Sequence, residues 1–224
     1  MWKNIKIDWK VHIIDLIVVI VGVTIAFALT NYQEVSKEKN LQKTYLQSLA
    51  NDLEVDVKNL EEQLDTSRTF KQHTDGLARA IFSQNLENDS VILQGVISLY
   101  VHIPFNPHNA TYKSLIGSGQ LDLIRDIELR KEVIDVYETH YKNLIQLDDF
   151  MREQSFNNKV PYFQEKLVYK RGGIANKEAL YENKFINLIF STQYFWEEKI
   201  NTYQQTLESA EELLQKINKK LDEI

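Results

Sequence analysis

The sequence predicts an all-α protein: an N-terminal transmembrane helix continuing into an antiparallel helical bundle with a long C-terminal heptad helix. Three observations carry this. An apolar run extends from Val11 to Leu29 with Asp15 as its one ionisable residue after His12. A 4-3 apolar repeat, Trp196, Ile200, Tyr203, Leu207, Ala210, Leu214, Ile217, Leu221 and Ile224, reaches the last residue. Only 7 glycines and 3 prolines interrupt 224 residues, too few for a turn-rich all-β fold.

As a helix, Val11–Leu29 spans roughly 28 Å, close to the hydrocarbon thickness of a bilayer. Trp2 and Trp9 on one side and Tyr32 on the other suit the two interfaces. Leu16–Leu29 has no polar face apart from Thr24, which argues against a buried core helix. A cleaved secretory signal competes, because Ala26-Phe27-Ala28 fits a small-residue cleavage pattern; the run is long for such a signal. The expected organisation is a cytoplasmic tail over 1–10, a transmembrane helix over 11–31, and an exported helical domain over 32–224. Orientation is coded weakly, since Lys3, Lys6 and Lys10 balance Lys37, Lys39 and Lys43. The signal-anchor arrangement places the N-terminus in the cytoplasm and the domain in the periplasm, at a bacterial inner membrane.

Within the span, Asp15 is a candidate intramembrane contact or relay residue, because a carboxylate at membrane depth seeks protein or water. Its position near the N-terminal end also lets it reach headgroups. Gly22 is a candidate for close helix approach.

No Pro or Gly falls between Val23 and Asp75, so the first helix is expected to run on beyond the bilayer. Leu46, Leu49, Leu53, Val57, Leu60 and Leu64 form its apolar stripe, with Glu54, Lys58, Glu61 and Glu62 on the solvated side. Gly76 is a candidate kink or boundary. Asn88-Asp89-Ser90 is expected to cap a helix carrying Val91, Ile92, Val96, Leu99 and Tyr100. Two prolines three residues apart make His102–His108 a loop. Asn109 is expected to cap a short helix that Gly117-Ser118-Gly119 breaks. Asp126 caps the next, which reaches about Asn157, with Pro161 ending it or opening another. Arg171-Gly-Gly173 is a loop and Asn176 is expected to cap a further helix.

The composition narrows function. A net charge of −6 offers no basic field for nucleic acid. With no cysteine there are no disulfides, thiolate metal sites or cysteine nucleophiles. Gly117-Ser-Gly119 lacks the lysine and the strand of a phosphate loop, and Ser118 lacks a nucleophile elbow. His102, His108 and Asp148-Asp149 have metal-ligand chemistry, but nothing in their spacing fixes them together. No cofactor, no metal and no enzymatic activity are expected.

Three stretches resemble an uncharacterised family of single-span, N-terminally anchored helical bacterial proteins of unknown function. They are Asp15-Leu-Ile-Val-Val-Ile-Val-Gly-Val-Thr-Ile-Ala-Phe-Ala-Leu-Thr-Asn-Tyr-Gln-Glu34, Tyr45-Leu-Gln-Ser-Leu-Ala-Asn-Asp-Leu53 and the central Thr111–Arg130. The chain departs from the family at Asp15, where Glu is commoner, and at Tyr32, where Trp is usual. Ile13-Ile14-Asp15 before an apolar helix is more loosely similar to the single-span stator subunits of proton-driven motors, which implies proton relay beside a multi-span partner.

The leading expectation is a membrane-anchored helical scaffold or interaction protein that contacts lipid and assembles with copies of itself or with a membrane-protein partner. The alternatives are a subunit of an ion-driven or channel-like complex using Asp15, and a ligand-sensing domain. The candidate partner or ligand turn comprises Tyr112, Ser118, Gly119 and Arg125. The candidate oligomer seam comprises Trp196, Ile200, Tyr203, Leu207, Leu214, Ile217 and Leu221, with ordinary packing inside the chain as the competing use.

Overall fold

The structure, a computed structural model, describes the backbone of residues 9–224 and the side chains from Leu16 onward. It is all-α apart from one two-stranded hairpin. Helix α1 (Trp9–Phe82) has 74 residues, about 110 Å of unbroken rod. From Leu16 to Asn40 every side chain is exposed; from Leu46 onward one face is buried. Among the described residues α1 is the one helix long and apolar enough to cross a membrane. Gly76 does not end it. The helix stops at Phe82, and Gln84 turns the chain with a positive φ of 55°.

Helix α2 (Asp89–Ser98) folds back on the far end of α1. The Asn88 side chain accepts the Val91 N–H, so the expected cap is present. Gly95 makes the close packing possible: a Cβ there would stand 2.3 Å from that of Leu77. Helix α3 (Ala110–Gly117) corrects an expectation. Asn109 makes no side-chain cap bond; Asp52 of α1 accepts the Thr111 N–H at 3.3 Å instead. Helix α4 (Ile127–Asp135) is capped by Asp126, which accepts the Glu128 and Leu129 amides. It passes through a widened π-type turn, Val136–His140, into α5 (Tyr141–Gln154), and through another, Ser155–Lys159, into α6 (Val160–Lys166). Pro161 lies in the first turn of α6, where a missing N–H costs nothing.

A hairpin pairs β1 (Tyr169–Lys170) with β2 (Gly173–Ile174), turning at Gly172 with φ +80°. Asn176 caps no helix: its amide bridges the Lys166 carbonyl and the Val168 N–H, each at 2.8 Å, and only a 3₁₀ stretch follows. Helix α7 (Asn183–Glu223), 41 residues long, runs back along α1.

The apolar side chains form two cores. One joins Leu46–Leu64 of α1 to α3, α4, α5 and the second half of α7. The other joins Leu77–Ile81 to α2, α6, the hairpin and the start of α7. The His102–His108 segment crosses between α1, α5 and α7 where these cores meet.

Candidate functional site

The site begins with a backbone problem. His102–His108 holds two prolines and cannot form a helix, yet Phe105 within it is 3% exposed. Buried amides need partners, and no neighbouring strand supplies them. Side chains from three helices do so. Asp148 of α5 accepts the Phe105 N–H at 2.7 Å. Asp56 of α1 accepts the His108 N–H at 2.8 Å. Lys199 of α7 donates to the Ile103 carbonyl at 3.0 Å. The Phe105 ring packs edge-on against Tyr141 at 5.2 Å and Tyr203 at 6.3 Å.

Asp148 and Lys199 form a buried ion pair at 2.8 Å, with side chains 3% and 1% exposed. Tyr203 donates its hydroxyl to the other Asp148 oxygen at 2.8 Å. The Lys199 ammonium lies 4.9 Å from the Tyr203 ring centroid, within cation–π reach. Burial pulls the Lys199 pKa down, and the Asp148 charge opposes that pull. Beside them, Trp196 donates to the Ser98 carbonyl at 3.2 Å, and Ser98 and Thr74 share a hydrogen bond at 2.9 Å. The network thus runs from α2 through α7 to α5.

His102 stands 3.8 Å from Asp148, beyond hydrogen-bond range, and neither ring nitrogen has a partner. Burial first, then the Lys199 charge, lower its pKa to about 4, so the ring is neutral near pH 7. His108 differs: its Nδ1 lies 3.0 Å from Asp56, and the ring is half exposed. The two histidines therefore face two different carboxylates. Among the described residues no group of three His, Asp or Glu side chains converges to hold a metal ion.

Asp56 is fully buried, and both His108 contacts fall on one of its oxygens. The other oxygen and the nearby Tyr137 and Tyr141 hydroxyls lack hydrogen bonds of regular geometry. Burial raises the Asp56 pKa, against the bonds from His108. Tyr137 sits on the first π-type turn and Tyr141 opens α5. In the second such turn Lys159 is 4% exposed, and burial lowers it to about 8.

The residues singled out by sequence are distributed elsewhere. The Asp15 side chain lies outside the described residues, as do Trp2 and the lysines of the tail. Gly22 has open space around it on bare α1. Tyr112 is buried and stacks on Tyr137 at 4.5 Å and 4° between planes. Ser118 donates to the Ser114 carbonyl at 2.7 Å, and Gly119 turns with φ +67°. Arg125 reaches back to Glu38 of α1 at 2.7 Å. The face of Tyr112 is filled by a ring rather than opening into a cleft, and the turn leans on the base of the rod.

The heptad residues pack within the chain. Trp196, Tyr203, Ala210 and Ile217 are buried, while Ile200, Leu207, Leu214 and Leu221 are half-buried against the same core. Lys199, Thr206 and Leu213 take the deeper positions between them. The buried face of α7 thus combines Trp196, Tyr203, Ala210 and Ile217 with Lys199, Thr206 and Leu213, and it meets α1 and α5 together.

Asp56 and Lys199 were invisible to motif reasoning, and Asp148 entered it only for its metal-ligand chemistry, yet a signal for all three existed. Asp56 lies three after Leu53 and four before Leu60. Asp148 lies four after Leu144 and three before Met151. Lys199 lies three after Trp196 and four before Tyr203. A charge on an apolar stripe is a charge headed for the interior.

Fold and site together define a class: an all-α bundle built on one overlong helix whose apolar end stands free of the bundle. The chain belongs to a family of unknown function, DUF6090, which matches residues 15–202. The match spans the bare part of α1, the proline loop, Asp148 and Lys199. No curated protein and no solved structure matches the chain.

Proposed function

We propose that this chain is a single-pass, membrane-anchored scaffold of the bacterial inner membrane, with a cytoplasmic N-terminus and a periplasmic helical domain, acting by interaction rather than catalysis. One observation carries the reading: α1 runs without interruption from an apolar, fully exposed segment into the centre of the bundle. A helix exposing Leu16–Leu29 on every side needs a non-aqueous environment, since each buried leucine or isoleucine side chain is worth about 1.5–3 kcal/mol. Continuity makes anchor and domain one mechanical body, with no hinge of Gly or Pro between them. The buried polar network supports the same reading, because its groups hold a loop in place instead of lining an open cleft.

Cell fractionation tests it. The full chain should stay with the membrane through alkaline carbonate extraction, and a variant lacking residues 1–29 should move to the soluble fraction. Protease added to spheroplasts should digest the domain. A full chain found in the carbonate supernatant would overturn the anchor, and a protected domain would reverse the orientation.

A further inference from the structure

Between His108 and Arg125 the chain travels along α1 toward the apolar run, and its contacts mark each step. Asp56 accepts the His108 N–H, Asp52 accepts the Thr111 N–H, Gln120 accepts the Tyr45 hydroxyl, and Arg125 reaches Glu38. Helix α4 then carries the chain away again and returns Tyr141 to the neighbourhood of Asp56. The α3–α4 turn, Gly117–Asp126, is therefore the part of this layer nearest the bare end of α1. Helix α7 ends beside it, with Lys220 at 4.0 Å from Asp126. Two isoleucines flank the turn, Ile116 and Ile127, and they are 50% and 58% exposed.

The position of the turn says what it meets. Glu38 is nine residues past Leu29, so the Arg125 contact stands about 14 Å along α1 from the end of the apolar run. A headgroup layer takes up roughly 5–7 Å of that distance. The turn lies about 10 Å to one side of the α1 axis, and a tilt of about 20°, ordinary for a single span, lowers that side by about 3 Å. The side chains of the turn span what remains. Charge points the same way. On the stretch of α1 between the apolar run and the bundle, Lys37, Lys39 and Lys43 have no ion-pair partner among the described residues. Glu38 is engaged by Arg125, which leaves Glu34 as the unpaired acid of that stretch. The acids of the turn are engaged as well, Asp122 by Arg130 and Asp126 by Lys220. Unpaired lysines next to a bilayer attract anionic headgroups, and exposed isoleucines beside them suit the boundary between headgroup and acyl chain.

We propose that the α3–α4 turn is a second membrane contact, which rests Ile116 and Ile127 on the anionic headgroup surface of the bilayer that holds α1 and so fixes the direction in which the rod tilts. The proposal rests on the anchored reading for its geometry. The chain has no cysteine, so Ser118→Cys supplies a single thiol on the turn for an environment-sensitive fluorophore and leaves both isoleucines in place. Thr30→Cys reports the end of the span, and Ser83→Cys reports the far end of the bundle, about 80 Å away. The labelled full chain is placed in liposomes of phosphatidylcholine and phosphatidylglycerol. A lipid with a spin-labelled headgroup should quench the probes at Thr30 and Ser118 and leave the one at Ser83 bright. Iodide in the buffer should do the reverse. Adding Ile116→Ser and Ile127→Ser should release the Ser118 probe to iodide, and leaving out phosphatidylglycerol should weaken its quenching by lipid. Both isoleucines are exposed, so an unchanged melting temperature is expected. A Ser118 probe as bright as the Ser83 probe, while Thr30 is quenched, would overturn the contact and leave the anchor standing. Lipid quenching at Ser118 that survives the double isoleucine change would overturn it too. A bright Thr30 probe would overturn the anchor itself, and the contact with it.

Discussion

Asp148 and Asp56 do the same job on opposite sides of one loop, and they do it differently. Both are buried carboxylates that accept an amide of the His102–His108 segment. Asp148 is saturated: it takes Phe105, Tyr203 and the Lys199 ammonium. Asp56 takes only His108, and leaves one oxygen facing two phenols without a regular hydrogen bond. The first is a buried ionic lock between α5 and α7. The second is a polar contact whose charge is resisted by burial. A carboxylate in a core is therefore stabilising or costly according to its partners, not its depth.

Removing one partner of the lock should have the largest effect. Asp148→Ala strands a buried ammonium and should lower unfolding stability by about 3–5 kcal/mol in urea titration of the solubilised chain. Adding Lys199→Met should recover much of that loss, since the stranded charge goes with it. A double variant as unstable as Asp148→Ala would mean that the loop contacts, not the charge, carry the effect. Acid should act next. The folded pKa of His102, about 4, lies below its ordinary 6.5, so the unfolded chain binds the extra proton first. This contribution to stability is complete above pH 6.5 and is lost as pH falls through that window to 4, at up to about 1.4 kcal/mol per pH unit. His102→Gln should remove that slope from the stability–pH curve; an identical curve would dismiss His102 as its source. The smallest change belongs to Asp56. Asp56→Asn keeps an acceptor for the His108 amide and deletes a charge that burial penalises, so its stability at pH 7 should stay within about 1 kcal/mol of the parent. A loss as large as that of Asp148→Ala would erase the distinction between the two sites.

Parts of this arrangement were legible before any fold. Asn88 and Asp126 announced their helices because a cap is a contact within one turn. Asn109 and Asn176 misled for the complementary reason: Asp52, far away in the chain, took over the first helix start, and the second asparagine was drawn into the hairpin base. The heptad of α7 defined a face correctly to within one residue, but that residue decides whether Ile200 or Lys199 points inward. The answer depended on Asp148 being across the gap.

By itself the sequence determined the all-α class, the apolar end of α1, its uninterrupted continuation and the presence of a long C-terminal helix, whose start at Asn183 it did not foresee. Each follows from local composition or from periodicity, which a helix expresses wherever it sits. Only the tertiary structure decided how α7 is rotated, where the chain needed π-type turns, and which charges are buried around the proline loop. Those outcomes depend on which distant donor meets which acceptor, and no local window of residues contains both.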